Sequence, residues 1–87
     1  MNIYEVAKKS VNEGSFQKIR PTREKPYEYD LQPDHWQGNN RGWALIDTFT
    51  SSAIVQIYEN IQPENQIKYV NMPLNKVLDI TWSIAGK

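Results

Sequence analysis

Apolar residues recur along this chain with two different periods, and the change of period divides it into three stretches. At the N-terminus Ile3, Val6, Ala7 and Val11 fall three and four apart, the spacing of one helix face. Asn2 precedes them as a capping residue, and Gly14 follows where a left-handed residue ends a helix, so the spacing predicts a helix over residues 3–12. The helical period returns after the turn-forming run Asn39-Asn40-Arg41-Gly42. Ile46, Phe49, Ala53, Ile57 and Ile61 lie on one stripe and predict a helix ending near Ile61. Its start is open: Trp43 if the segment is one long rod, or an Asp47 or Thr50 cap if Trp43-Ala44-Leu45-Ile46 forms a short strand. Pro63 opens a shorter helix carrying Ile67 and Val70, which Met72-Pro73 closes. Leu74, Val77, Leu78, Thr81, Ile84 and Ala85 then form the stripe of a last helix, with Gly86 as its stop.

Residues 15–42 lack that period. A stretch of 28 residues is too long for a structureless connection in a compact domain, so something must order it. In Pro26-Tyr27-Glu28-Tyr29-Asp30-Leu31, the apolar Tyr27, Tyr29 and Leu31 alternate with Glu28 and Asp30, the period-two pattern of a half-buried strand. Ser15 to Arg20 is short enough to be its partner, with Pro21 to Pro26 as the hairpin loop; the two prolines assign both to edge strands or extended segments. The expected fold is therefore mainly α, with α+β possible. It is a single domain with an N-terminal helix (1–14), an extended aromatic arm or β-hairpin (15–42) and three C-terminal helices (43–87). A core this small stabilises only modestly, and self-association into a homo-oligomer is the expected way to bury more surface.

Composition narrows the function. Apolar residues make up 39% of the chain and aromatics 11%, so the core must lean on a few large side chains. Ten basic and ten acidic residues cancel, which leaves no global field to attract nucleic acid. With no cysteine there is no disulfide framework, thiolate nucleophile or cysteine-type zinc site. No stretch approaches the ~20 consecutive apolar residues of a membrane span, and no apolar run of signal length opens the chain, so a cytosolic location is expected.

The sequence offers little for catalysis. His35, flanked by Asp34 and Trp36, is the one histidine. A triad needs a nucleophile and an orienting group beside it, and zinc takes three or four ligands, so Pro33-Asp34-His35-Trp36 reads better as a turn anchored by its tryptophan. Glu24, Glu28, Asp30 and Asp34 lack the compact spacing of a calcium loop, and the four glycines form no phosphate-binding motif. No enzyme activity, cofactor or metal is expected. Lys18, Arg20, Arg23 and Lys25, by contrast, interleave with Phe16, Tyr27 and Tyr29, and arginine with large rings is what interface hot spots use. The candidate binding residues are Arg20, Arg23, Tyr27, Tyr29, Trp36 and Arg41. Tyr69 and Trp82 fall partly off their helices' stripes and mark a candidate exposed patch for a partner or a second protomer.

Gly42-Trp43-Ala44-Leu45-Ile46-Asp47, the helix from Ala53 to Ile61, the Glu64-Asn65 pair and the closing helix from Pro73-Leu74 together resemble a type of small bacteriophage and prophage protein. The likeness covers about half the chain and carries no catalytic residues with it. In the N-terminal half, the Ile3 to Gly14 helix-then-glycine and Asp34-His35-Trp36 resemble Thoeris anti-defence proteins, a phage family that sequesters nucleotide signals. That family's Gly-Trp after the first helix and its Arg-Trp-Asn-Pro segment are absent. The resemblances imply a phage or mobile-element protein; by analogy with small phage proteins that lack enzyme motifs and act by binding, the expected function is inhibition of a host immune protein. Two alternatives stand beside that reading: an oligomeric sponge holding a nucleotide signal molecule, and a phage structural or DNA-transaction accessory protein.

Overall fold

The computed structural model describes every residue except Pro26 and Lys87. Its elements run α1 (Ile3–Glu13), β1 (Gln17–Pro21), β2 (Tyr29–Leu31), β3 (Ala44–Ile46), α2 (Thr48–Asn60), α3 (Pro63–Val70) and α4 (Leu74–Ala85). The mainly helical architecture, with strands between the first helix and three C-terminal ones, is as the periodicity predicts.

Both ends of α1 are built from local chemistry. The Asn2 side chain accepts from the Glu5 backbone N–H, and the Glu5 carboxylate accepts from the Asn2 N–H, each at 2.9 Å. This reciprocal cap satisfies two donors that a helix start leaves unpaired. At the other end Gly14 takes φ +64°, its N–H donates to the Val11 carbonyl, and the Ser15 N–H reaches back to Ser10. That pair of bonds turns the chain sharply into β1. Ser10, not the expected Val11, completes the buried face: Val11 is 41% exposed, because the stripe Ile3, Val6, Ala7 rotates past it by the last turn.

The three strands form one antiparallel sheet in the order β2-β1-β3. Ile19 pairs with Leu31 on one side and Ala44 on the other, which centres β1. The hairpin expected from residues 15–31 is thus widened by the short strand that was one reading of Trp43 to Ile46, and Asp47 is the cap of α2, accepting from the Thr50 N–H at 2.7 Å. The outer side of β2 is covered at Tyr29, whose N–H donates to the Met1 carbonyl at 2.7 Å.

One core joins the inner sheet face to the helices. It contains Ile3, Val6 and Ala7 of α1, Ile19, Tyr29 and Ile46 of the sheet, Ile54 and Ile57 of α2, Tyr69 of α3 and Val77 of α4. The α1–α2 contact is fastened at the surface by Tyr4 stacked on Tyr58, ring centres 3.9 Å apart. Other expectations fail as well. Tyr69 is buried and not part of an exposed patch, because its ring joins the core cluster and its hydroxyl meets Thr81 of α4. Phe49 and Ile84, placed on core stripes by spacing, are 73% and 58% exposed, because the elements packed on α2 and α4 leave one end of each stripe uncovered.

Candidate functional site

Strand pairing assembles the most distinctive surface of the molecule on the outer face of the sheet. Side chains alternate along β1, so with Ile19 buried, Lys18 and Arg20 point outward. Arg20 lies opposite Asp30 of β2, and the next step of the β1–β3 register sets Trp43 beside it on the other flank. The Arg20 guanidinium carbon sits 4.2 Å from the centre of the Trp43 ring. This is a cation over the negative face of an indole, the strongest of the common cation–π arrangements. Among the described residues no carboxylate lies within 4 Å of that guanidinium, so its donors are not consumed by an ion pair.

The loop between β2 and β3 adds a third member. Trp36 meets Trp43 edge to face, ring centres 5.3 Å apart at 67°. Its indole N–H donates to the Asn39 carbonyl at 2.9 Å, which fixes the ring. Gly38 lies under that ring: a Cβ there would come within 2.7 Å of it, so the loop needs a residue without a side chain at this point. Further bonds close the loop: the Trp36 N–H donates to the Pro33 carbonyl, the Trp43 N–H to the Asn40 carbonyl, and Gln32 to the Asn40 side chain. Leu45, two residues beyond Trp43 on the same outer side, is 59% exposed.

Beside Arg20 is an open hollow of about 870 Å³, lined by Arg20, Pro21, Thr22, Arg23, Glu24, Lys25, Glu28 and Asp30. The Thr22 hydroxyl holds the bend, donating to the Lys25 carbonyl and accepting from the Lys25 N–H. Three cations face three carboxylates there, so the hollow has no strong sign.

The candidate residues read from the sequence therefore separate. Arg20 and Trp36 belong to one ordered cluster, and Arg23 lines the adjoining hollow. Tyr27 is exposed at 37%, and Arg41 is exposed in the turn where its N–H donates to the Asn39 side chain. Tyr29 is corrected: at 3% exposure it is a core residue on the inner sheet face and offers a partner nothing. Burial also pushes its hydroxyl above the ordinary tyrosine value. Trp43 and Leu45 are the members that sequence reasoning missed. Their signal was the alternation Trp43 out, Ala44 in, Leu45 out, Ile46 in, masked by the longer helical stripe that also runs through Ile46.

A second polar cluster lies at the surface where α1 meets α2. The Tyr4 hydroxyl donates to Glu59 at 2.7 Å, and Lys8 reaches Glu59 at 3.2 Å and the Tyr4 oxygen at 3.4 Å. Hydrogen bonds from Tyr4 and then Lys8 hold the Glu59 carboxyl below its ordinary range, and Glu59 holds Tyr4 and Lys8 above theirs. The cluster clamps α1 to α2. His35 is exposed, and among the described residues no three histidine, aspartate or glutamate side chains gather where a metal ion would sit. Among the described residues no helix is long and apolar enough to cross a membrane. Comparison with known protein families, curated proteins and solved structures returns no match.

Proposed function

We propose that this chain is a phage-encoded binding protein that acts without catalysis, docking the outer face of its sheet on a bacterial anti-phage defence protein and blocking it. The observation that carries the binding part is the Arg20–Trp43–Trp36 cluster, held by strand register and loop hydrogen bonds. Rings and a guanidinium fixed before contact lose little conformational freedom on binding, which is what makes tryptophan and arginine effective anchors. Leu45 supplies apolar area next to them and Arg23 a polar contact from the adjoining hollow, with the exposed Tyr27 and Arg41 as further candidate contacts. The phage origin rests on the resemblances of the two halves of the sequence, and the class of target on the analogy with small phage proteins that act by binding a bacterial defence component.

The nucleotide sponge is the weaker reading, because a phosphate entering the hollow beside Arg20 meets Glu24, Glu28 and Asp30 along with the cations. Zero net charge weighs against a DNA accessory role in the same way.

Plating efficiency decides between these readings. Phage would be plated on bacteria that carry single defence systems and express the protein, the Arg20→Ala/Trp36→Ala variant, or neither. Restored plating against one system by wild type, lost in the variant and accompanied by co-purification of a component of that system, is the expected result. Equal restoration by the variant would remove the sheet face from the mechanism. Co-purification of a nucleotide in place of a protein would favour the sponge.

A further inference from the structure

The molecule has a second unpartnered surface, on α2 and α4. Phe49, at the start of α2, is 73% exposed and stacks on Trp82, itself 38% exposed, with ring centres 5.7 Å apart. Further along α2, Ala53, Ile57 and Ile61 join Ile84 and Ala85 of α4 in lining a groove of about 450 Å³. From Phe49 to Ile57 is eight residues, about 12 Å along a helix. We propose that a second copy of this chain covers this face, with the two α2 helices antiparallel about a two-fold axis and Phe49 of each copy seated in the groove of the other.

Shape supports that occupant. A two-fold contact must be self-complementary, each feature meeting the feature that complements it on the same surface. A projecting ring and a groove set apart on one helix satisfy this twice over. Charge supports it as well. Near a two-fold axis a charged side chain meets its own like-charged copy, at a cost in affinity. The groove lining contains no charged residue; its polar members are Gln56 and Asn60, amides that carry both a donor and an acceptor and so can face their own copies.

Sedimentation equilibrium over a wide concentration range tests the proposal on the full chain. Wild type is expected at twice the 10.2 kDa chain mass in its upper range. Phe49→Asp is expected to weaken association at least about 100-fold, since one change removes two symmetric anchors. Its circular dichroism should match wild type, and its unfolding midpoint should match that of wild type at a concentration low enough to be monomeric, because the ring is already largely exposed in the monomer. Gln56→Lys, which sets like charges near the axis, is expected to weaken association at low salt and recover part of it at high salt. Arg20→Ala, on the sheet face, should leave the mass unchanged. A wild type that stays at 10.2 kDa throughout overturns the proposal, whatever else the face binds, and so does a Phe49→Asp chain that associates as wild type does.

Discussion

The hydroxyls of Tyr69 and Thr81 lie 2.6 Å apart inside the core and tie the end of α3 to the middle of α4. The Thr81 hydroxyl donates to the Val77 carbonyl, also at 2.6 Å, so it accepts from Tyr69. The two partners are therefore unequal. Thr81→Val keeps the shape but leaves a buried tyrosine hydroxyl without a partner, an expected loss of ~1–3 kcal/mol. Tyr69→Phe removes the donor while Thr81 keeps its own bond, an expected loss of about 1 kcal/mol. Urea unfolding of the two single variants checks the order, and a costlier Tyr69→Phe would reverse the assigned direction of the bond.

The Arg20–Trp43 contact should register as a coupling energy. Arg20→Ala, Trp43→Ala and the double variant are expected to show about 0.5–1 kcal/mol of non-additivity. Arg20→Lys keeps the charge without the planar guanidinium and should retain part of it. Strict additivity in denaturant titrations would mean that the stack contributes nothing to the sheet.

Asp47 caps α2, and its carboxyl is held below the ordinary range first by the Thr50 N–H and then by the Thr50 hydroxyl. Asp47→Ala should cost about 1 kcal/mol and Asp47→Asn much less, since asparagine also caps. The pH dependence follows from the sign of the shift. A carboxyl lowered in the folded state contributes stability above the ordinary carboxylate range, and that stability is lost as the pH falls through the lower folded value. Glu13, lowered by the Lys9 hydrogen bond, and Glu59 act in the same direction. Thermal midpoints should fall below the carboxylate range, and less steeply for Asp47→Ala; an equal slope would show that the cap carries no linkage.

Gly14 ends α1 at φ +64°, and a Cβ added there would meet no atom within 4 Å. Substitution is then a test of backbone conformation alone. Gly14→Ala should cost about 1–2 kcal/mol and Gly14→Asn distinctly less, because asparagine tolerates the left-handed region. Chemical denaturation of both checks this, and equal costs would point to a loss of packing instead.

Local signals sufficed wherever the chemistry is local. Asn2 and Gly14 bound α1, Pro63 and Pro73 separate the last helices, and the alternation around Tyr29 marks a strand, because each of these acts on backbone groups a few residues away. Helical spacing likewise identified Ile3, Val6, Ala7 and Val77 as core. What spacing cannot supply is which part of an apolar stripe a neighbouring element covers. Phe49 and Ile57 share a stripe, yet one is exposed and the other buried, and Tyr69 looked displaced from its stripe until α4 closed over it. The binding face is the extreme case. Arg20, Trp36 and Trp43 are scattered through 24 residues, and they meet because pairing of β1 with β3 sets residue 43 alongside residue 20. Sequence by itself determined the helices and most of their limits, leaving the start of α2 open between Trp43, Asp47 and Thr50 and a strand pair as one of two readings of residues 15–42. The tertiary structure alone decided which aromatic rings face solvent, since that depends on register and on packing between segments distant along the chain.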